Sequence, residues 1–297
     1  MNDAGLAPIV CPACRGRLAL TATRSARGGS AVDAIDAIDA GRLECQRCGT
    51  SWPIEDGLPR LYRDEAVRGT DRLMRVFYDG LPSLHDPLTR HLLPLLEAGG
   101  SEAALRDGYM KRLDLAALAL SPAPEGRALR ILEIGVGAGA NLPLLQRDLP
   151  RGIVAEIWGL DLSVGMLRQC QRRLRRWSGP PVHLLAGDAH ALPFPDGAFD
   201  RVFHVGAMGS FRDGRRVLAE MTRVAKPGTP IVVVDEQLDP GRAHRLHHRL
   251  AFRLLTFYDA SPHCPVELLP PGVTDVLEEA ISRFYYCLRF RSPRPTR

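Results

Sequence analysis

Four of the seven cysteines fall in two pairs, Cys11-Pro-Ala-Cys14 and Cys45-Gln-Arg-Cys48, with 30 residues between the pairs. Two Cys-x-x-Cys knuckles can set four thiolates at the corners of a tetrahedron, which suits the ~2.3 Å Zn–S bonds of a structural Zn2+ site. Gly49, directly after the second pair, allows a tight turn that aims backbone N–H groups at the sulfurs. A disulfide pairing would need an oxidising compartment, and a redox dithiol would need a βαβ surround that this stretch lacks. Cys11, Cys14, Cys45 and Cys48 are therefore the expected metal ligands. Cys170, Cys264 and Cys287 are scattered singly, as incidental or buried thiols are. The segment 26–41 between the knuckles carries a small Asp-Ala-Ile repeat and reads as a surface excursion between two arms.

A second constellation begins at RILEIGVGAGANLPLL. An apolar run of parallel-strand character is followed by a Gly135–Gly139 turn, where the backbone must bend sharply and let a ligand approach closely. Such a turn alone also fits a dinucleotide fingerprint. Glu133 argues against a pyrophosphate, which it would repel, and favours a cationic ligand such as S-adenosylmethionine (SAM), with its sulfonium and ammonium groups. Asp161, at the tip of EIWGLDLS, is placed to accept both hydroxyls of a ribose. In GDAHALPFPDGAFDRVF, Asp188 and the backbone of Ala189 would read an adenine edge after the third strand.

These residues need a frame to hold them. The chain reads as alternating strands and helices from 129 onward: strands ending near Ile134, Asp161, Gly187, Val205 and Glu236, with a Lys226-Pro227-Gly228 turn before the fifth. Residues 64–127 read mainly as helix, in RLMRVFYDGL, PLTRHLLPLLEAGG and MKRLDLAALALS, closing at a Pro122-Ala-Pro124 linker. FYYCLRFR (284–291) is expected as an antiparallel edge strand. The organisation expected is 1–63 a small metal ribbon, 64–127 a helical connector or cap, and 128–297 an α/β domain.

Two resemblances follow from these motifs. CPAC, CQRCG and the segment Trp52-Pro53-Ile54 with Asp56-Gly57-Leu58-Pro59 resemble the zinc-ribbon family named for the small activator subunit of tRNA and protein methyltransferases. That resemblance covers residues ~8–62 and implies a fold and a habit of accompanying methyltransferases, so a protein partner through the ribbon is one expectation. LEIGVGAG, GLDLS-x-x-ML, GDAHALPFPDGAFD and the Lys-Pro-Gly turn resemble, in order and spacing, the class I SAM-dependent methyltransferases, particularly those methylating ubiquinone and menaquinone precursors. The resemblance implies a Rossmann-like, mostly parallel seven-stranded sheet. It also implies that Glu133, Gly135, Val136, Gly137, Gly139, Asn141, Asp161, Leu162, Met166, Asp188, Ala189 and His204 line the cofactor site. Tyr78-Asp79 resembles a segment that caps the cofactor in the quinone-type relatives, and is equally readable as an aromatic anchor.

Methyl transfer attacks an already activated carbon, so positioning and desolvation can supply much of the catalysis, and no single residue type marks the centre. His204-Val205-Gly206-Ala207 follows the fourth strand, where side-chain and exocyclic amide methyltransferases carry Asn/Asp-Pro-Pro-aromatic; amide chemistry is thus disfavoured. His204 is the candidate catalytic base, with Asp235 and Glu236 as comparable candidates, and His190 is expected to contact the cofactor or support its loop.

The net charge of +5 is unevenly spread: residues 1–63 net +1, 64–239 net 0 and 240–297 net +4. A ribbon so nearly neutral is poorly suited to phosphate, which needs clustered cations. A small-molecule acceptor is the leading expectation. RNA is the alternative, because the ribbon-then-methyltransferase order resembles bacterial enzymes that methylate guanine N1 in large-subunit ribosomal RNA. Two basic stretches, Arg168–Arg176 and GRAHRLHHRLAFRLL (241–255), read as solvated helix faces, the second amphipathic and near the mouth of the fold. No apolar run reaches the ~18–20 residues of a membrane span, and no basic then apolar leader opens the chain; a cytoplasmic protein is expected.

Overall fold

The computed structural model describes residues 8–25, 38–80, 102–120 and 127–294. The helix expected over 87–100, the Pro122–Pro124 linker and most of the excursion between the knuckles lie outside these. Among the described residues, eleven strands form one sheet in the order β1-β2-β3-β4-β7-β6-β5-β8-β9-β11-β10. The first four are β1 (Leu18–Ser25), β2 (Ile38–Cys45), β3 (Ser51–Glu55) and β4 (Leu58–Leu61). They form an antiparallel meander; the second knuckle lies on the turn between β2 and β3, and the first on a turn just before β1, closed by a bridge between Val10 and Arg17.

The other seven are β5 (Leu129–Ile134), β6 (Ala155–Asp161), β7 (Val182–Gly187), β8 (Arg201–Val205), β9 (Pro230–Glu236), β10 (Thr274–Ala280) and β11 (Tyr285–Arg291). β7, β6, β5, β8 and β9 run parallel to one another. β11 runs antiparallel to both β9 and β10. It is therefore an interior strand; β10, whose residues are mostly exposed, forms the edge in its place. The burial pattern explains the difference, since β11 is apolar on both faces and nearly all buried, a strand that needs a neighbour on each side.

The ribbon is continuous with the larger sheet. β4 pairs parallel with β7, Arg60 opposite Ala186 and Leu61 opposite Gly187. Its Ile9, Leu43, Trp52, Ile54 and Leu61 share one apolar cluster with Phe194, Phe199, Val217 and Met221. The opposite face of the sheet is covered by α2 (Glu102–Arg112), α3 (Leu142–Asp148), α4 (Val164–Leu174) and Phe252 of α6 (Leu246–Leu255). Strand alternation decides which face each β5 residue serves: Leu129 and Ile131 join the second cluster, Leu132 and Ile134 the first.

Local caps set where helices begin. Ser163 accepts the Met166 N–H to open α4 (3.1 Å), and Asp213 accepts the Arg216 N–H to open α5 (Gly214–Val224, 3.0 Å). The helix expected through MKRLDLAALALS breaks: α2 stops at Arg112, and Leu115–Leu120 forms a 3-10 turn. Asp114 adopts a left-handed backbone (φ 53°) at the break, and the buried Arg201 guanidinium donates to the carbonyls of Leu113 and Asp114 at 2.6 and 2.7 Å. A tertiary cation thus takes over the carbonyls that a continuing helix would have used.

Candidate active site

The carboxyl ends of β5, β6, β7 and β8 open into one cleft with α1 (Gly69–Gly80) along its rim. With its open mouth included, the cleft spans about 850 Å³. Gly135, Gly137, Asp161, Leu162, Met166, Asp188, Ala189 and His204 line it, joined from α1 by Asp71, Met74, Arg75 and Tyr78. The turn after β5 is where glycine is obligatory: Gly135 has φ +71°, and a Cβ there would stand 3.2 Å from the His204 ring.

Asp161 holds the turn. Its Oδ2 accepts the Gly137 N–H and its Oδ1 the Ser163 N–H, both at 2.8 Å. Burial, opposed by these backbone bonds and reinforced by Asp79, raises its pKa. Each oxygen keeps lone-pair capacity for a ligand hydroxyl. Asp79, next to Tyr78, accepts the Ser163 hydroxyl (2.6 Å) and the Gly165 N–H (3.0 Å), tying α1 to the start of α4.

Asp188 belongs to a network. Its Oδ1 accepts from His190 N–H (2.9 Å) and His190 Nδ1 (2.6 Å), while His190 Nε2 accepts the Asp213 N–H (3.2 Å). Its Oδ2 pairs with Arg212 (3.1 Å), whose other guanidinium nitrogen meets the buried Asp71 carboxylate. Burial opposes ionisation of Asp188, but His190 and then Arg212 outweigh it and hold its pKa below the usual value. His190 thus supports the loop rather than facing the cleft.

His204 Nδ1 sits 2.8 Å from the Ile134 carbonyl, which can only accept, so Nδ1 carries the proton and Nε2 presents a lone pair. Burial lowers its pKa to about 4. Phe211 packs against the ring at 5.1 Å. Val205, Gly206 and Ala207 continue the wall, Ala207 in a left-handed backbone (φ 66°).

Four residues expected in the cofactor site stand behind the cleft. Val136 is buried in the core. Gly139 packs on Cys170 and Leu142. Glu133 points to the Leu129–Ile131 face, where Asn141 Nδ2 donates to its Oε1 (2.6 Å). Asn141 is held in turn by the Tyr109 hydroxyl (2.6 Å) and Arg106 (2.7 Å). Burial pushes Glu133 up to about 8, with Asn141 and Arg106 opposing. The sequence reading did not single out Asp71, Met74, Arg75, Ser210 or Phe211. One signal was present: Asp71 shares the i, i+3, i+7 stripe of Met74 and Tyr78, an acid on an otherwise inward-facing row.

His204 Nε2, at the cleft wall, is buried without a protein partner. An orphaned acceptor there suits a ligand that brings donors, as the ammonium and ribose of SAM would.

At the other end of the sheet, the four cysteine sulfurs lie within 4.8 Å of one another, with Cys14–Cys45 at 3.4 Å and Cys11–Cys48 at 3.8 Å. A tetrahedron of ~2.3 Å bonds has edges of about 3.8 Å, so the cluster has the dimensions of a Zn2+ site. The Arg47 N–H points at Cys45 Sγ (3.4 Å), the kind of contact that stabilises a thiolate. Gly16 leaves room for the sulfurs, since a Cβ there would stand 2.9 Å from Cys45 Sγ.

Comparison with known proteins agrees with both halves. Residues 131–228 match the methyltransferase domain family, and residues 6–57 match the Trm112p-like protein family. A demethylmenaquinone methyltransferase of Thermus thermophilus is 38% identical over 141 residues, 47% of this chain and 60% of that protein. A phosphatidylethanolamine N-methyltransferase of Cereibacter sphaeroides is 34% identical over 37% of this chain and 51% of its own length. The chain thus spans little more than half of these curated relatives. Among solved structures, a phosphoethanolamine N-methyltransferase of Haemonchus contortus aligns with TM-score 0.54 and 16% identity, over 83% of this chain and 63% of that one. An S-adenosyl-L-methionine-dependent methyltransferase of Methanococcus maripaludis aligns with TM-score 0.51 and 14% identity, over 74% and 94%. One chain thus carries, in order, a segment similar to the Trm112p-like proteins and a segment similar to the methyltransferase domain family.

Proposed function

We propose that the protein is a cytoplasmic SAM-dependent methyltransferase acting on a small-molecule acceptor. We divide it into a zinc ribbon at 1–63, a cap at 64–127 and a catalytic domain at 128–297. The observation that carries the reading is the meeting of the Gly135–Gly137 turn, Asp161 and Asp188, from three adjacent strand ends, in one cleft.

Bound there, SAM supplies a methyl carbon activated by its sulfonium. The chain's own residues hold and enclose it. Gly135 and Gly137 let the backbone approach, and Asp161 accepts hydrogen bonds from ribose hydroxyls while fixing the turn. Asp188 and the Ala189 backbone read the adenine edge, with Leu162 and Met166 along the walls. Glu133, behind the turn, balances the positive charge once a cation arrives. His204 remains unprotonated at neutral pH, because its pKa lies near 4. Its Nε2 therefore accepts a proton or hydrogen bond at the acceptor side of the cleft, where Phe211 helps exclude water.

A small acceptor suits a cleft rimmed by Met74, Arg75 and Tyr78 of α1. The names of the relatives, with demethylmenaquinone and phosphatidylethanolamine as acceptors, point the same way. The ribbon's thiolates need a reducing compartment, which supports the cytoplasm. In its neutral surface and shared core we see a structural role first, with a protein partner as a second use.

Calorimetric titration with SAM and, separately, with NAD(H) tests the cofactor. Binding of SAM alone is expected; absence of SAM binding overturns the reading. Binding to bulk RNA that falls steeply with salt would move the acceptor to nucleic acid.

A further inference from the structure

The α6 helix presents three ridges of different character. His248, Phe252 and Thr256 are buried, with Phe252 against Phe284 at 5.7 Å, and anchor the helix to the sheet. Leu246, Leu250 and Leu254 face outward at 73, 63 and 74% exposure, and Phe257 continues them at 52%. Arg245, Arg249 and Arg253 form a ridge directly beside the leucines. Between Gly241 and Tyr258 there are four arginines and not one acid. Two of these arginines have local contacts, Arg242 with Asp239 and Arg253 with the Asp259 carbonyl.

The leucine ridge does not end with the helix. Phe257 meets Phe77 of α1 at 5.9 Å, and α1 exposes Leu73, Val76 and Phe77 on its outer side. The opposite side of α1 supplies Met74, Arg75 and Tyr78 to the cleft. An apolar seam flanked by cations therefore borders the mouth of the cleft.

We propose that this seam docks on the surface of an anionic lipid bilayer. A helix with a leucine row flanked by arginines matches an interfacial helix, in which the apolar row enters the acyl boundary and the cations reach the headgroup phosphates. Nucleic acid would use the arginines and leave the exposed leucines in water. The strip's uniform positive charge complements the negative leaflet. The use of the surface, presenting a membrane-held acceptor to the cleft, rests on the methyltransferase reading; the docking itself does not.

Sedimentation of the full chain with phosphatidylcholine vesicles, with and without phosphatidylglycerol, tests it. Binding is expected only with phosphatidylglycerol present, weakening as salt rises. Leu250→Glu/Leu254→Glu should reduce it on the order of a hundredfold, and Arg249→Gln by about fivefold. SAM affinity, measured by calorimetry, and thermal stability should stay unchanged in both variants. Failure of the wild type to bind phosphatidylglycerol vesicles overturns the proposal, as does undiminished binding by the leucine variant. A wild-type dimer that the leucine variant splits, seen by light scattering, would assign the seam to a second copy. A marked fall in melting temperature would show that the protein itself covers it. Loss of SAM binding in the wild type, with vesicle binding intact, would defeat the methyltransferase reading alone.

Discussion

The cysteine cluster and the cleft solve the problem of holding a group in opposite ways. Four ligands of one kind come from two short knuckles, each fixed by its own turn: Arg15 N–H to Cys11 O at 2.7 Å, and Gly49 N–H to Cys45 O at 2.9 Å. The cleft draws single residues from four strand ends and a helix far away in the chain, and keeps them in place through Asp161, Asp79 and the Asp71–Arg212–Asp188 chain. A site of the first kind is robust until its metal leaves and then fails as a unit. A site of the second kind can lose members one at a time.

The contrast can be broken most severely at the metal. Cys45→Ala should take the protein from about one zinc per chain to none, and lower unfolding free energy on the order of 5 kcal/mol or more, because structural zinc binding is folding energy. Metal analysis and denaturant unfolding read both. A metal-free protein of unchanged stability would remove the ribbon from one side of the comparison.

Arg212→Ala should come next. It strands Asp71, whose side chain is only 2% exposed, without its cation, at a cost of about 3 kcal/mol in urea unfolding. A loss close to zero would mean that α1 is held by its apolar contacts and the Asp79 hydrogen bonds without help from this pair.

Asp161→Ala should spare stability more than binding, weakening SAM by about 2 kcal/mol, roughly thirtyfold, on the scale of hydrogen bonds to a charged group. Calorimetry showing unchanged affinity would displace the tip of β6 from the site.

The smallest effect is the pH dependence at Glu133. Its folded pKa of about 8 exceeds the ordinary carboxyl value of 4.5, so the folded chain holds a proton that the unfolded chain releases between the two. Stability from this group is therefore full below about 4.5 and falls as pH rises toward 8. Across one pH unit inside that window the change is about 1 kcal/mol. Glu133→Gln should flatten that slope in urea titrations; an unaltered slope would assign it elsewhere.

The same contrast explains what could be read from the residues in order. CPAC, CQRCG, LEIGVGAG and GLDLS each encode a turn within a few positions, so the knuckles, the Gly135–Gly139 bend and the strand tips were legible. Arg212 and Asp71 were not: each is an ordinary charged residue until folding sets α1 beside the loop after β8. Glu133 was legible as an acid on the motif, but its burial under Asn141 depends on α2 and α3 closing that face. β11 was legible as a strand and misread as an edge, because the mostly polar TDVLEEA of β10 lacks the look of a partner. The pairing of β4 with β7 carries no local signal at all.

That last pairing governs how the molecule can be cut and how it assembles. A parallel run ending at β7 would expose unpaired N–H and C=O groups, a template for association between copies, and β4 occupies Ala186 and Gly187 at that edge. The contact joins positions far apart in the chain, so the knuckles can close early while docking of the ribbon waits for the third strand of the larger sheet. A protein shortened to begin after the ribbon would keep its cleft-forming motifs and acquire a sticky flank.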